Sequence, residues 1–168
     1  MLRRPPRRTI KVADEVWVAT ALLHREQPER AAFSVQDITR RAEQANIEGH
    51  LRPSLYVHAI RHCVATLPPS PGRYRMLVAT SATTRRLFRA GDAFHPQREG
   101  AKTMPAREDL PDRYQGLVDW YLAAYQPPAT SRRTAEGDPI LELRGAGADV
   151  WGREHPDDYV RRLREGWW

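Results

Sequence analysis

The sequence predicts an α+β fold: three short helices, a two-stranded hairpin, one extra helix and a small C-terminal β-loop-helix module. Two patterns carry that expectation. Apolar residues recur at helical spacing three times before residue 64, and the period changes to two after the break Pro68-Pro69-Ser70-Pro71-Gly72. Charge adds a third observation. Residues 1–89 hold 16 Lys and Arg against 7 Asp and Glu, whereas residues 90–168 hold 11 against 14. A basic half of this kind is the electrostatic footprint of a nucleic-acid binder. Only Lys11 and Lys102 are lysines. A GC-rich genome would explain arginine in place of lysine, but not the opposite signs of the two halves.

The elements follow in order. Residues 1–11 form a basic arm with Arg3, Arg4, Arg7 and Arg8, suited to phosphates or a minor groove, or simply solvated. From Ala13 to about Gln27, Val16, Ala19, Leu22 and Leu23 make a helical stripe that Trp17 widens, and Pro28 closes it. In Phe33-Ser34-Val35-Gln36-Asp37-Ile38, Ser34 caps a second helix and Asp37 answers it as in a capping box, with Phe33 and Ile38 as a hydrophobic staple. Asn46 to Gly49 ends that helix. Leu51-Arg52-Pro53 opens a third, with Pro53 at its first position. Leu55, Ala59, Ile60 and Cys63 form its inward face; Ser54, Val57, His58, Arg61 and His62 point outward.

Beyond the proline break, the spacing predicts strands at Arg73–Thr80 and Thr84–Arg89 around a short Ser81-Ala82 turn. The hairpin carries Arg73, Arg75, Arg85, Arg86 and Arg89. Residues 92–110 read as polar and irregular. Pro111 opens another helix, to about Tyr125, with Leu117, Val118, Tyr121 and Leu122 on its apolar side and Trp120 and Tyr125 flanking. Residues 126–139 are a linker by composition. Residues 140–168 hold a strand, Ile140–Arg144, a glycine loop and a final helix from about Pro156.

Three helices followed by a hairpin is the order of a winged helix-turn-helix, whose third helix enters the major groove while the wing follows the backbone. Residues 12–125 are therefore read as a winged-helix domain with an accessory helix. The outward residues of helix three offer donors to base edges, and Val57 an apolar contact for a thymine methyl. Arg52, Arg73, Arg75, Arg85 and Arg86 suit phosphates. For Arg61 the competing reading is a solvated arginine balancing Glu43 or Glu48, and Tyr56 is expected to pack with its hydroxyl in water.

The segments His62-Cys63-Val64, Pro71-Gly72-Arg73-Tyr74-Arg75-Met76-Leu77 and Arg86-Leu87-Phe88-Arg89-Ala90-Gly91-Asp92, with Leu110-Pro111-Asp112 and Asp119-Trp120-Tyr121, resemble an uncharacterised bacterial family of winged-helix proteins. That resemblance implies a genomic setting beside restriction or defence genes and assigns no activity. Where such wings carry glycines at the tip, this chain has Thr80-Ser81-Ala82-Thr83. The tail, from Leu141-Glu142-Leu143-Arg144-Gly145-Ala146-Gly147-Ala148-Asp149-Val150-Trp151 through Pro156-Asp157-Asp158-Tyr159-Val160-Arg161-Arg162-Leu163-Arg164-Glu165-Gly166-Trp167, is similar to the C-terminal segment of small antitoxin-like regulators. It departs from them in having Ala148-Asp149 where a lysine is usual. Val150, Trp151, Tyr159, Val160, Leu163 and Trp167 offer more apolar surface than so short a module buries, so it is expected to dock on the body, a second copy or a partner protein.

Other chemistries find less support. His58 and His62 stand four apart on a helix, a metal-ligand spacing, but His58-Ala59-Ile60-Arg61-His62 lacks the glutamate of a zincin and Cys63 faces the core. Gly145-Ala146-Gly147 lacks the third glycine of a dinucleotide fingerprint and the βαβ unit behind it. Asp109, Asp112, Asp157 and Asp158 read as helix-start acids. No catalytic, metal or cofactor site is expected, nor an enzymatic activity. No run reaches the roughly 18 apolar residues of a membrane span, Met1 to Arg8 lacks a signal peptide's apolar stretch, and one cysteine forms no internal disulfide framework. The expectation is a cytoplasmic, homodimeric regulator of transcription binding double-stranded DNA. An antitoxin-like adaptor holding a protein partner through residues 140–168 is the alternative.

Overall fold

A computed structural model describes residues 9–50 and 52–126. Helix α1 (Val12–Glu26) is followed by β1 (Phe33–Ser34), α2 (Val35–Ala45), and α3 (Ser54–Val57), which runs on as a π-helical turn, His58–His62. Strands β2 (Leu77–Ala79) and β3 (Thr84–Leu87) come next, then two 3-10 turns, Pro96–Arg98 and Arg107–Asp109. Helix α4 (Asp112–Trp120) likewise runs on as a π-helical turn, Tyr121–Tyr125. The described residues thus combine four helices with a three-stranded antiparallel sheet of order β1-β3-β2, an α+β arrangement. The chain divides into two units, Met1–Pro127 and Pro128–Trp168.

α1 is more than an amphipathic surface helix. Ala13 through Ala21, Leu23 and His24 are all buried, so the other elements wrap around it. Its polar positions are therefore internal. Thr20 donates back to the Val16 carbonyl at 2.8 Å. Asp14 meets the Lys102 ammonium at 2.9 Å, and Glu15 meets Arg52 at 3.2 Å. Burial raises both carboxyls above their ordinary range, against the pull of Lys102 and Arg52. The His24 ring stands edge-on to Phe33 at 4.9 Å, and its Nε2 lies 3.4 Å from the Tyr125 hydroxyl.

Local signals set the start of α2. The Ser34 hydroxyl accepts the Asp37 N–H at 3.0 Å and the Asp37 carboxylate accepts the Ser34 N–H at 3.3 Å, a complete capping box. Phe33 and Ile38 are both fully buried, as a staple requires. Asn46, at φ 41°, closes the helix in the left-handed region that asparagine tolerates. The same Phe33-Ser34 pair also forms β1, against Arg85 and Thr84 of β3, an element the sequence reading lacks.

The first hairpin strand is shorter than expected, Leu77–Ala79 in place of Arg73–Thr80. Its missing half is held by other partners: the Arg75 N–H donates to Lys102 O at 2.8 Å, and the Met76 N–H donates to Cys63 O at 3.1 Å. α4 packs Leu117, Val118, Tyr121 and Tyr125 inward, with the Tyr121 ring edge-on to Trp17 at 5.4 Å. Leu122, expected inside, is half exposed, because the buried line of α4 follows the stacked Tyr121 and Tyr125 rings.

Arg98, in the stretch read as irregular, is completely buried. Its Nε donates to Leu67 O at 2.6 Å, one terminal nitrogen to His62 O at 2.9 Å and to Tyr74 O, and the other to Pro68 O and Arg61 O at 3.3 and 3.4 Å. Arg98→Met removes a buried donor from all five carbonyls, of which Arg61 O alone keeps a backbone partner among the described residues, the Val64 N–H at 3.2 Å. It is expected to destabilise the fold by about 3–5 kcal/mol, read as a lower urea midpoint at unchanged slope. A change below about 1 kcal/mol would show that water replaces the guanidinium.

Burial, with Arg89 and Arg86 nearby, pushes His24 down from 6.5 to about 4. Between those values the unfolded chain binds the proton and the folded one does not, so stability present above pH 6.5 is lost on acidification. Cooling of the melting temperature between pH 7 and 5 should correspond to about 2 kcal/mol and should be smaller in His24→Gln. Parallel pH profiles for the two proteins would remove His24 as the cause.

Candidate functional site

The outward face of α3 gathers several of the residues singled out by sequence. Leu55, Ala59 and Cys63 are buried and Ile60 packs against the core, which turns Ser54, Tyr56, Val57 and Arg61 to solvent. Tyr56, expected to pack, is 47% exposed and lies beside Val57 at 42%. Arg61 is exposed and makes no ion pair among the described residues. The Glu48 carboxylate, one of its expected counter-charges, instead accepts the Ile10 N–H.

His58 and His62 flank this face, both half-buried, with ring centres 4.8 Å apart. A carbonyl only accepts, so the 2.9 Å contact from His58 Nδ1 to Ser54 O places the proton on Nδ1. Burial lowers the His58 pKa, against this hydrogen bond, so the neutral ring presents Nε2 as an acceptor. The His62 Nδ1 is buried with no hydrogen-bond partner among the described residues.

The arginines expected on phosphates fare differently. Arg52 donates inward, to Ile10 O at 2.7 Å and to Glu15. Arg85 is 4% exposed: its terminal nitrogens reach Ser81, Ala82 and Thr84 carbonyls in the hairpin turn and Ile60 O on α3. Arg86 forms a two-pronged pair with Asp92, both contacts at 2.7 Å. Against the upward pull of burial, Arg86 and the Arg89 N–H hold the Asp92 carboxyl below its ordinary range. Arg75 lies 4.2 Å over the Phe94 ring and 5.6 Å from that of Phe88. Of the hairpin set, Arg73 alone is exposed and without a side-chain partner among the described residues.

A signal for Arg85 was present in the alternation. Leu87 faces the core, and a period of two puts Arg85 on the same side. Arg98, which fixes the backbone of Arg61 and His62, carries no local signal, since its partners lie 24 to 37 residues away.

Comparison with protein-family models, curated proteins and solved structures finds no match to this chain. The chemistry must therefore be read from the residues themselves. Among the described residues no three His, Cys, Asp or Glu side chains gather as a metal site, and no helix is long and apolar enough to cross a membrane. Burial pushes the Cys63 thiol up, away from a reactive thiolate. The expected docking residues Val150, Trp151, Tyr159, Val160, Leu163 and Trp167 lie outside the described residues, as do residues 1–8 of the basic arm. The last residues expected in that arm belong to the body, with Ile10 buried in the core and Lys11 at the start of α1.

The different settings of two hairpin arginines yield a stability test. Arg85→Ala strips donors from a buried cluster and is expected to cost about 2–3 kcal/mol in chemical denaturation, whereas Arg73→Ala should stay within about 0.5 kcal/mol. Equal effects from both would contradict the buried role of Arg85.

Proposed function

We propose that residues 12–125 form a winged helix that binds double-stranded DNA through the outward face of α3, as a small regulator. The carrying observation is the division of α3 into a buried side and a solvent side on which Ser54, Tyr56, Val57 and Arg61 stand together with His58. The element order α1-β1-α2-α3-β2-β3, with β3 central in the sheet, supports the winged-helix reading. So does the basic balance of the chain before residue 90.

In this reading Arg61 donates to a guanine edge, the acceptor Nε2 of His58 takes a donor from an adenine or cytosine amino group, and Val57 with Tyr56 supplies apolar contact. Arg73 supplies a phosphate contact. Arg52, Arg75, Arg85 and Arg86 take the supporting role of holding α3 and the hairpin. A regulator of this size commonly reads two half-sites as a homodimer, and its position in a defence or restriction-type operon is part of the same proposal.

The test is a salt series of binding to fluorescent duplexes, one random and one drawn from DNA upstream of the chain's own coding sequence. A steep salt slope with tighter binding to the upstream duplex is expected. Arg61→Ala should then narrow the gap between duplexes by about 1–3 kcal/mol, while Arg73→Ala weakens both alike and lowers the salt slope by about one. Equal loss on every duplex from Arg61→Ala would remove α3 as the reading helix. No binding at about 150 mM salt would overturn the DNA reading and turn the search to a protein partner of residues 140–168.

A further inference from the structure

Away from the face of α3, a cavity of about 360 Å³ opens where the end of α1, the loop before β1, the residue after the hairpin and the end of α4 meet. Arg25, Arg30 and Arg89 line it together with His24, Trp120 and Tyr125, and among the described residues no aspartate or glutamate lines it. Arg30 is paired with Asp37 at 3.2 Å. Arg25 and Arg89 make no ion pair among the described residues.

The remaining lining is suited to a flat ring. Arg89 lies 4.4 Å over Tyr125, and the half-buried Trp120 stands 5.5 Å from the same tyrosine, tilted by 45°. Trp120 therefore presents indole surface to the cavity beside two unneutralised guanidinium groups. The volume falls in the range of small-molecule sites and exceeds what a bare anion fills.

We propose that this cavity binds a nucleoside monophosphate, its phosphate between Arg25 and Arg89 and its base against Trp120. Two planar guanidinium forks match the two negative charges and several acceptor oxygens of a phosphate monoester, where one fork suffices for a carboxylate. A triphosphate fits the site less well, because the described lining holds no acidic side chain for the magnesium ion that would offset its further charge. The neutral state of His24 agrees with a positive local potential, since Arg89 and Arg86 add to burial in disfavouring its proton.

Titration calorimetry of the full chain with AMP, GMP, CMP and UMP, each against its nucleoside and against inorganic phosphate, tests the proposal. At least one monophosphate should bind with a sub-millimolar constant, about tenfold or more tighter than its nucleoside and than phosphate alone. Arg25→Gln with Arg89→Gln, both surface changes, should weaken that binding at least about tenfold while the circular dichroism stays unchanged, and Trp120→Ala should weaken it about tenfold through lost stacking. Absence of binding by all four monophosphates would overturn the proposal, as would phosphate binding as tightly as the nucleotide. Unchanged nucleotide affinity in the double variant would overturn it too. A double variant that loses duplex affinity in a protein showing no nucleotide binding would assign these arginines to a DNA backbone instead, leaving the cavity proposal refuted and the role of α3 untouched.

Discussion

The buried guanidinium of Arg98 decides where α3 ends and where the hairpin begins. The last carbonyls of a helix have no partner within it, and their partial charge favours a cation. Arg98 meets that need at His62 O, joins the Val64 N–H at Arg61 O, and in the same stroke collects Leu67 O and Pro68 O from the proline-rich loop and Tyr74 O from the approach to β2. A buried cation with no carboxylate is costly, and burial lowers the Arg98 pKa accordingly. Five acceptors offset that cost. The result reaches the candidate interface, because the backbone so pinned belongs to Arg61 and His62, at the end of the helix whose other face lies in the core.

The same economy of small sheets explains the other inward arginine. Three strands of two to four residues cannot cover a hydrophobic layer with aliphatic side chains alone. Arg85 fills the inner face beside Leu87 and ties the hairpin turn to Ile60 on α3. Meanwhile α1 faces the interior almost all round, and its three ionisable positions there each find a group from a different part of the chain: Lys102 for Asp14, Arg52 for Glu15, Tyr125 for His24. Such pairs are weak as sources of stability, but removing one member leaves the other buried and uncompensated.

What could be read from the sequence was what is decided locally. The capping box at Ser34 and Asp37, the staple of Phe33 and Ile38, the break at Pro68 and the two faces of α3 all depend on residues a few positions apart. β1 was not legible because Phe33 and Ser34 already carry the signal of a helix start, and their pairing with Thr84 and Arg85 is set fifty residues later. The roles of Arg52, Arg75 and Arg98 depend on partners or rings brought close only by folding. An arginine in a basic stretch reads as solvated until those partners are known, and its aliphatic stem hides in apolar surroundings at little cost. Reading the hairpin arginines as one phosphate-binding set therefore conflated the exposed Arg73 with Arg85, which the alternation assigns to the inner face.

Inward arginines still matter to a polyanion. Arg86 is neutralised by Asp92 and Arg52 by Glu15, so those pairs add little to the outside potential. Arg85 and Arg98 differ, because the partners of the Arg85 terminal nitrogens and of Arg98 are carbonyls, which do not cancel their charge. Both contact the backbone of the last turn of α3, at Ile60 O for one and at Arg61 O and His62 O for the other. Their charge is screened less by salt than that of an exposed side chain, since protein rather than electrolyte surrounds them. In the proposed DNA-binding reading, the exposed Arg61 thus supplies the directional contact while two cations beneath it supply a potential that attracts phosphate without choosing a base. Sequence preference and electrostatic attraction would then arise from different residues around one helix end, and inward arginines would count toward binding even where they never touch the DNA.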